Sequence, residues 1–150
     1  MENNGFVFTY GSNISDRRIR ERGVKPLSRE SAMLEGYRLT FSVLWRDGFA
    51  CTTILPDPDS KAHGALYTCD EEGFQILERD LVKNGKYQRE SVKVQKASGE
   101  EVNAVVYVAR KEHVQEGLTP SLKYVDIMLE AVDVLPKEYA DNLRNLKVQS

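Results

Sequence analysis

The sequence predicts an α+β fold: a curved, mostly antiparallel sheet or small barrel, with short helices and two C-terminal helices. Three observations carry this. Segments of strand character occupy most of the chain from Phe6 to Ala109, while sustained helical spacing is confined to the C-terminal third. The turns between several strands are short and contain Gly or Pro, which joins neighbours antiparallel rather than through helical crossovers. A length of 150 residues fits one domain, 1–150, with enough chain to bury a core.

Taken in order, Phe6-Val7-Phe8-Thr9-Tyr10 is short, aromatic and β-branched, and reads as a buried strand. Gly11-Ser12-Asn13 has turn composition. Ser15 then caps a short helix over Ile14 to Arg22, with Asp16 favourable in its first turn and Gly23 ending it. Ala32 to Leu44 alternates loosely and reads as one or two strands bent at Gly36. Phe49 to Leu55 is a further strand, closed by the turn signal Pro56-Asp57-Pro58-Asp59, and Ala62 to Thr68 is the next. Asp70 or Glu71 caps a short helix from about Glu72 to Asp80. Tyr87 to Gln95 and Val102 to Ala109 form a hairpin around Ala97-Ser98-Gly99-Glu100. Leu122, Val125, Leu129 and Val132 recur at helical spacing behind Ser121. Pro136 opens a second helix through Tyr139 and Leu143 to Leu146. This totals about six strands.

Composition removes several function classes. Hydrophobic residues make up 41% and charged residues 29%, and the formal net charge is −2, without the basic surface expected of a nucleic-acid binder. No apolar run approaches the length of a membrane span, and the polar start lacks a signal-peptide pattern, so a cytoplasmic location with reduced thiols is expected. Cys51 and Cys69 read as small buried hydrophobes. With His63 and His113 they give no metal-ligand spacing, so no metal site is expected.

Three features could carry chemistry. Tyr10-Gly11-Ser12-Asn13, between a strand and a helix, could present backbone N–H groups to an anion, or be an ordinary turn with a cap. Seven tyrosines are a mild excess; Tyr87, Tyr107 and Tyr124 could shape a pocket or simply pack. The tract Arg17 to Arg22 reads as a solvated helix face rather than a nucleic-acid patch.

Together the motifs resemble those of the γ-glutamylcyclotransferase-like family, in its AIG2-like branch. Phe8-Thr9-Tyr10-Gly11-Ser12-Asn13-Ile14, then Arg18-Ile19 and Arg22-Gly23, is similar to the family's opening signature F-x-Y-G-S-N-L, R-[LM], R. Gly36 to Phe41 is similar to its first long strand. Trp45 to Ala50 with Thr52-Thr53-Ile54 resembles W-x-G-G-x-A-T-I, and His63 to Tyr67 resembles G-x-x-[YW]. Gly85-Lys86-Tyr87-Gln88-Arg89 resembles G-x-Y-x-R. Pro120 to Tyr124 and Leu135 to Tyr139 resemble the closing helices.

The resemblance implies a curved sheet close to a barrel and a small-molecule γ-glutamyl substrate. It implies no cofactor, no nucleic acid and no membrane, and it is compatible with a homodimer. In the implied reaction the substrate's α-amine attacks its own γ-carbonyl, giving 5-oxoproline and releasing an amine or amino acid. The enzyme then holds a near-attack conformer and moves protons. The implied binding residues are Tyr10, Gly11, Ser12, Asn13, Tyr87, Tyr107 and Tyr124. The family's acid/base glutamate, counted back from Tyr87 and Gly85, falls on Asp80, and its following Gly on Leu81. Asp is shorter by one methylene, about 1.5 Å of reach. Glu78, two residues earlier, would face elsewhere on a regular helix. Three readings stay open: a cyclotransferase with Asp80 as general acid/base, a specialised biosynthetic relative with altered chemistry in the same pocket, and a non-catalytic binder of a small ligand or a protein. For an enzyme, Asp80 should be buried, face the Tyr10–Asn13 loop and have a raised pKa.

Overall fold

The computed structural model describes residues 4–44 and 48–148. Trp45, Arg46 and Asp47, part of one family-like segment, lie outside the described residues. Five strands close into a barrel in the order β1-β3-β2-β4-β5: β1 Gly5–Thr9, β2 Ser28–Leu44, β3 Ala50–Cys69, β4 Tyr87–Lys96 and β5 Glu101–Ala109. All pairings are antiparallel except the closing one, β1 with β5, which runs parallel through Val7 and Val105. The helices are α1 Asp16–Glu21, α2 Glu71–Leu77, α3 Leu122–Leu129 and α4 Lys137–Arg144. The α+β barrel follows the sequence reading.

Strand alternation separates two cores. One contains Phe8, Leu34, Ile54, Leu66, Val94 and Val106, drawn from every strand, and fills the barrel. The other joins Val7, Ile19, Tyr67, Leu77, Met128 and Leu143, and packs the helices against the outer sheet face. His63 on β3 meets Tyr139 of α4 edge-on, ring centroids 4.9 Å apart, which ties the last helix to the barrel.

The structure corrects four expectations about elements. Residues 50–69 form one long strand, so the barrel has five strands rather than six. Pro56-Asp57-Pro58-Asp59 belongs to a bulge within it: Glu35 stands opposite Lys61 and Tyr37 opposite Pro56, so the ladder skips Asp57 to Ser60 and resumes. Proline has no N–H to donate, and the Asp57 carboxylate accepts the Asp59 N–H at 3.1 Å and the Ser60 hydroxyl at 2.8 Å. The composition of a turn therefore served a bulge, opposite Gly36 at φ +84°. The expected helix over Ile14–Arg22 divides into a 3₁₀ turn, Ser12–Ile14, and α1, with Ser15 between them accepting the Arg18 N–H at 3.2 Å. The helix expected to reach Asp80 ends at Leu77. A π-helical turn, Glu78–Val82, follows and changes where its side chains point. The last helix ends at Arg144, short of Leu146.

Candidate functional site

Where β1 leaves the barrel, the chain turns through Tyr10-Gly11-Ser12-Asn13 into α1. This loop forms one wall of a cavity of about 950 Å³. The start of β3 supplies Cys51 and Thr52, the end of α2 Leu77, the π turn Leu81, the β4–β5 hairpin Tyr87 and Tyr107, and α3 Tyr124. Residues far apart in sequence thus converge as the motifs implied.

Hydroxyls fix this wall. Tyr10 Oη donates to the Tyr107 carbonyl at 2.5 Å, and Tyr87 Oη to the Thr52 carbonyl at 2.6 Å. Thr52 Oγ1 and Tyr124 Oη share a hydrogen bond of 2.8 Å. The Ser12 N–H donates to Tyr124 Oη at 3.2 Å, so this loop amide, one of those that could face an anion, is already engaged. Burial pushes the phenols of Tyr10, Tyr87, Tyr107 and Tyr124 upward, so these groups stay neutral and act by shape and hydrogen bonding. Gly11 leaves the space they use: a Cβ there would meet Thr52 Oγ1, and Tyr124 Oη at 2.7 Å.

Asp80 is placed differently from the expectation. It is not among the residues lining the cavity; it stands behind Arg22, which is. Arg22 Nε donates to Asn13 Oδ1 at 2.8 Å and its Nη1 to Asp80 Oδ2 at 3.1 Å, while Arg79 Nε donates to Asp80 Oδ1 at 2.8 Å. Burial works against the charged carboxylate, but Arg79 and Arg22 together outweigh it and hold the pKa below the ordinary value, opposite to the raised value expected. A carboxyl depressed on folding stabilises above its unfolded pKa, about 3.9, and loses that contribution as pH falls through the folded value. Asp80→Asn should therefore lower the Tm at pH 7 by a few degrees, with the difference shrinking as pH falls through the lowered folded value. Thermal unfolding across pH checks this; an undiminished difference in acid contradicts it.

Sequence reasoning missed three residues here. The Arg17–Arg22 tract is not wholly a solvated face, since Arg18 and Arg22, four residues apart on one side of α1, both line the cavity. Their spacing was the available signal. Glu78 does not face away. The π turn brings it against Tyr107, whose phenol is pushed up first by burial and then by this carboxylate. Glu78 Oε2 and Tyr107 Oη are both buried without a hydrogen-bond partner among the described residues.

The fold is thus a closed five-strand barrel with a tyrosine-lined cavity beside a strand-loop-helix turn. The chain belongs to the γ-glutamyl cyclotransferase, AIG2-like family, whose sequence profile matches residues 7–126. Among solved structures it is similar to a γ-glutamyl cyclotransferase at 24% identity and a TM-score of 0.86, over 99% of this chain and 90% of that one. A human protein described as uncharacterized also matches at 24% identity and TM-score 0.86, over 99% and 91% of the two chains. A yeast γ-glutamyl cyclotransferase specific to glutathione matches at 16% identity and TM-score 0.71, over 93% of each chain. No curated protein matches the sequence. Family and fold indicate a cyclotransferase-like enzyme.

Proposed function

We propose that this cavity binds a γ-glutamyl amine or γ-glutamyl amino acid and cyclises it to 5-oxoproline. The observation that carries the reading is the convergence of the Tyr10–Asn13 loop with Tyr87, Tyr107 and Tyr124 on one cavity. The substrate's α-nitrogen forms a bond to its own γ-carbonyl carbon, the amide C–N bond breaks, and the leaving nitrogen gains a proton. No water, metal or cofactor is consumed, so positioning supplies most of the acceleration. The loop backbone receives the α-carboxylate, and the tyrosine side chains shape the pocket around the reacting groups.

In this reading Asp80 is the carboxylate that accepts the ammonium proton and returns one to the leaving nitrogen. Its arginine partners hold it charged at rest, the form needed for the first transfer. For this role Asp80 Oδ1 must leave Arg79, whose side chain is 56% exposed, and the carboxylate must reach past Arg22 to the cavity. The same ion pairs favour a second reading, a non-catalytic binder of an anionic ligand. Asp80→Asn and Asp80→Glu separate the two. For an acid/base role, Asn lowers kcat at least about a hundredfold while Glu retains or raises it. A binder yields no 5-oxoproline with wild type, Asn or Glu, and binds its ligand alike in all three.

A further inference from the structure

The cations that line the cavity are not equally satisfied. Arg17 gives Nε and Nη2 to Glu130 at 3.0 and 2.9 Å, and Nη1 to Glu21 at 2.8 Å. Arg22 is held by Asn13 and Asp80. Lys123 is exposed at the rim. Arg18 differs from all three. Its side chain is 34% exposed, and its nearest carboxylate oxygen is Glu21 Oε1 at 4.0 Å, beyond hydrogen-bond reach. That carboxylate is already taken by Arg17. Among the described residues the Arg18 guanidinium donates no hydrogen bond.

A guanidinium partly withdrawn from water, with no acceptor in reach, costs free energy until a ligand supplies one. Burial first, and the neighbouring Arg22 charge second, press its pKa down, in keeping with the missing acceptor. A planar fork of N–H donors facing a cavity fits a carboxylate in two-point contact. The substrate's α-carboxylate already has the Tyr10–Asn13 loop. Leu77, Leu81 and Ile127 offer apolar wall in the same cavity.

We propose that Arg18 binds a carboxylate on the leaving group, so that this cavity selects γ-glutamyl amino acids over γ-glutamyl amines. This rests on the cyclotransferase reading and adds the residue that chooses between its two substrate classes. Arg18 acts as a specificity-determining residue.

Glutaryl-alanine and glutaryl-ethylamide test it. Both lack the α-amine and cannot cyclise, and they differ only by the alanine carboxylate. In calorimetry, wild type should bind glutaryl-alanine at least about tenfold more tightly, the scale of a charge-assisted hydrogen bond. Arg18→Met should erase that ratio and leave the ethylamide affinity within about twofold, while Arg18→Lys should keep part of it. Equal affinities in wild type, or a ratio that survives Arg18→Met, overturn the assignment. The two readings fail separately: 5-oxoproline release from γ-glutamyl-alanine without any preference sinks only the Arg18 role. If neither analogue binds and no 5-oxoproline appears, both fall.

Discussion

Gly64→Ala is expected to be among the most damaging single-methyl additions in this protein. A Cβ on Gly64 would strike the Thr9 carbonyl oxygen, with the Thr9 carbonyl carbon at 2.9 Å and Tyr10 Cα at 3.2 Å. All three are backbone atoms of β1 or its exit. They cannot rotate away as a side chain would, and β1 is held in register with β3 from Gly5 opposite Cys69 to Thr9 opposite Ala65. Overpacking of this kind costs about 3 kcal/mol, which lowers the Tm by roughly 10 °C at this size. The strand pair also sets the direction in which Tyr10 leaves the barrel, so binding should weaken in whatever fraction stays folded. A melting temperature within about 2 °C of wild type would show that β1 can shift without cost, and would contradict the close strand approach.

Gly11→Ala should act on function rather than on the fold. The added methyl would meet Thr52 Oγ1 and Tyr124 Oη, two side-chain ends that can move apart. Moving them breaks the Thr52–Tyr124 hydrogen bond and the Ser12 N–H contact to Tyr124. Each is worth about 1 kcal/mol, so stability should fall modestly. The cavity loses the geometry of its loop wall, and misplacement near 1 Å costs about a hundredfold in turnover. Steady-state kinetics beside a thermal melt make the comparison. Unchanged kcat/KM would mean that the loop and Tyr124 do not contact the reacting groups.

These two glycines illustrate what the sequence carried. Gly11 stood inside a motif, so its place in the loop could be expected, but the space it leaves for Thr52 and Tyr124 could not. Gly64 also fell in a family-like segment, but nothing there showed what the glycine avoids, because that atom is 55 residues away in β1, outside any sequence window. The barrel was legible because strand alternation and hairpin turns are local signals. The Pro56–Asp59 bulge was misread for the same reason, since Pro and Asp relieve a missing ladder hydrogen bond equally in turns and in bulges.

The site divides in the same way. The tyrosines and the Tyr10–Asn13 loop were readable as motif residues. The environment of Asp80 was not, because it depends on Arg22, which reaches back from α1 to a segment 58 residues later. Glu78 was misjudged because a regular helix was assumed where the backbone makes a π turn. Arg18 was taken as solvated with its neighbours, although the four-residue spacing to Arg22 put both on one face.

The central claim is that the chain cyclises a γ-glutamyl compound by attack of the substrate's own amine. The direct measurement incubates the protein with γ-glutamyl-alanine and γ-glutamyl-ethylamide and quantifies 5-oxoproline, free amine or alanine, and glutamate together. Cyclisation yields 5-oxoproline and the released amine or amino acid in equal amounts, with no glutamate, because water takes no part. Glutamate as the partner product would instead mean hydrolysis. Absence of all three products, with either substrate bound unchanged, would make the cavity a binding site and contradict the account.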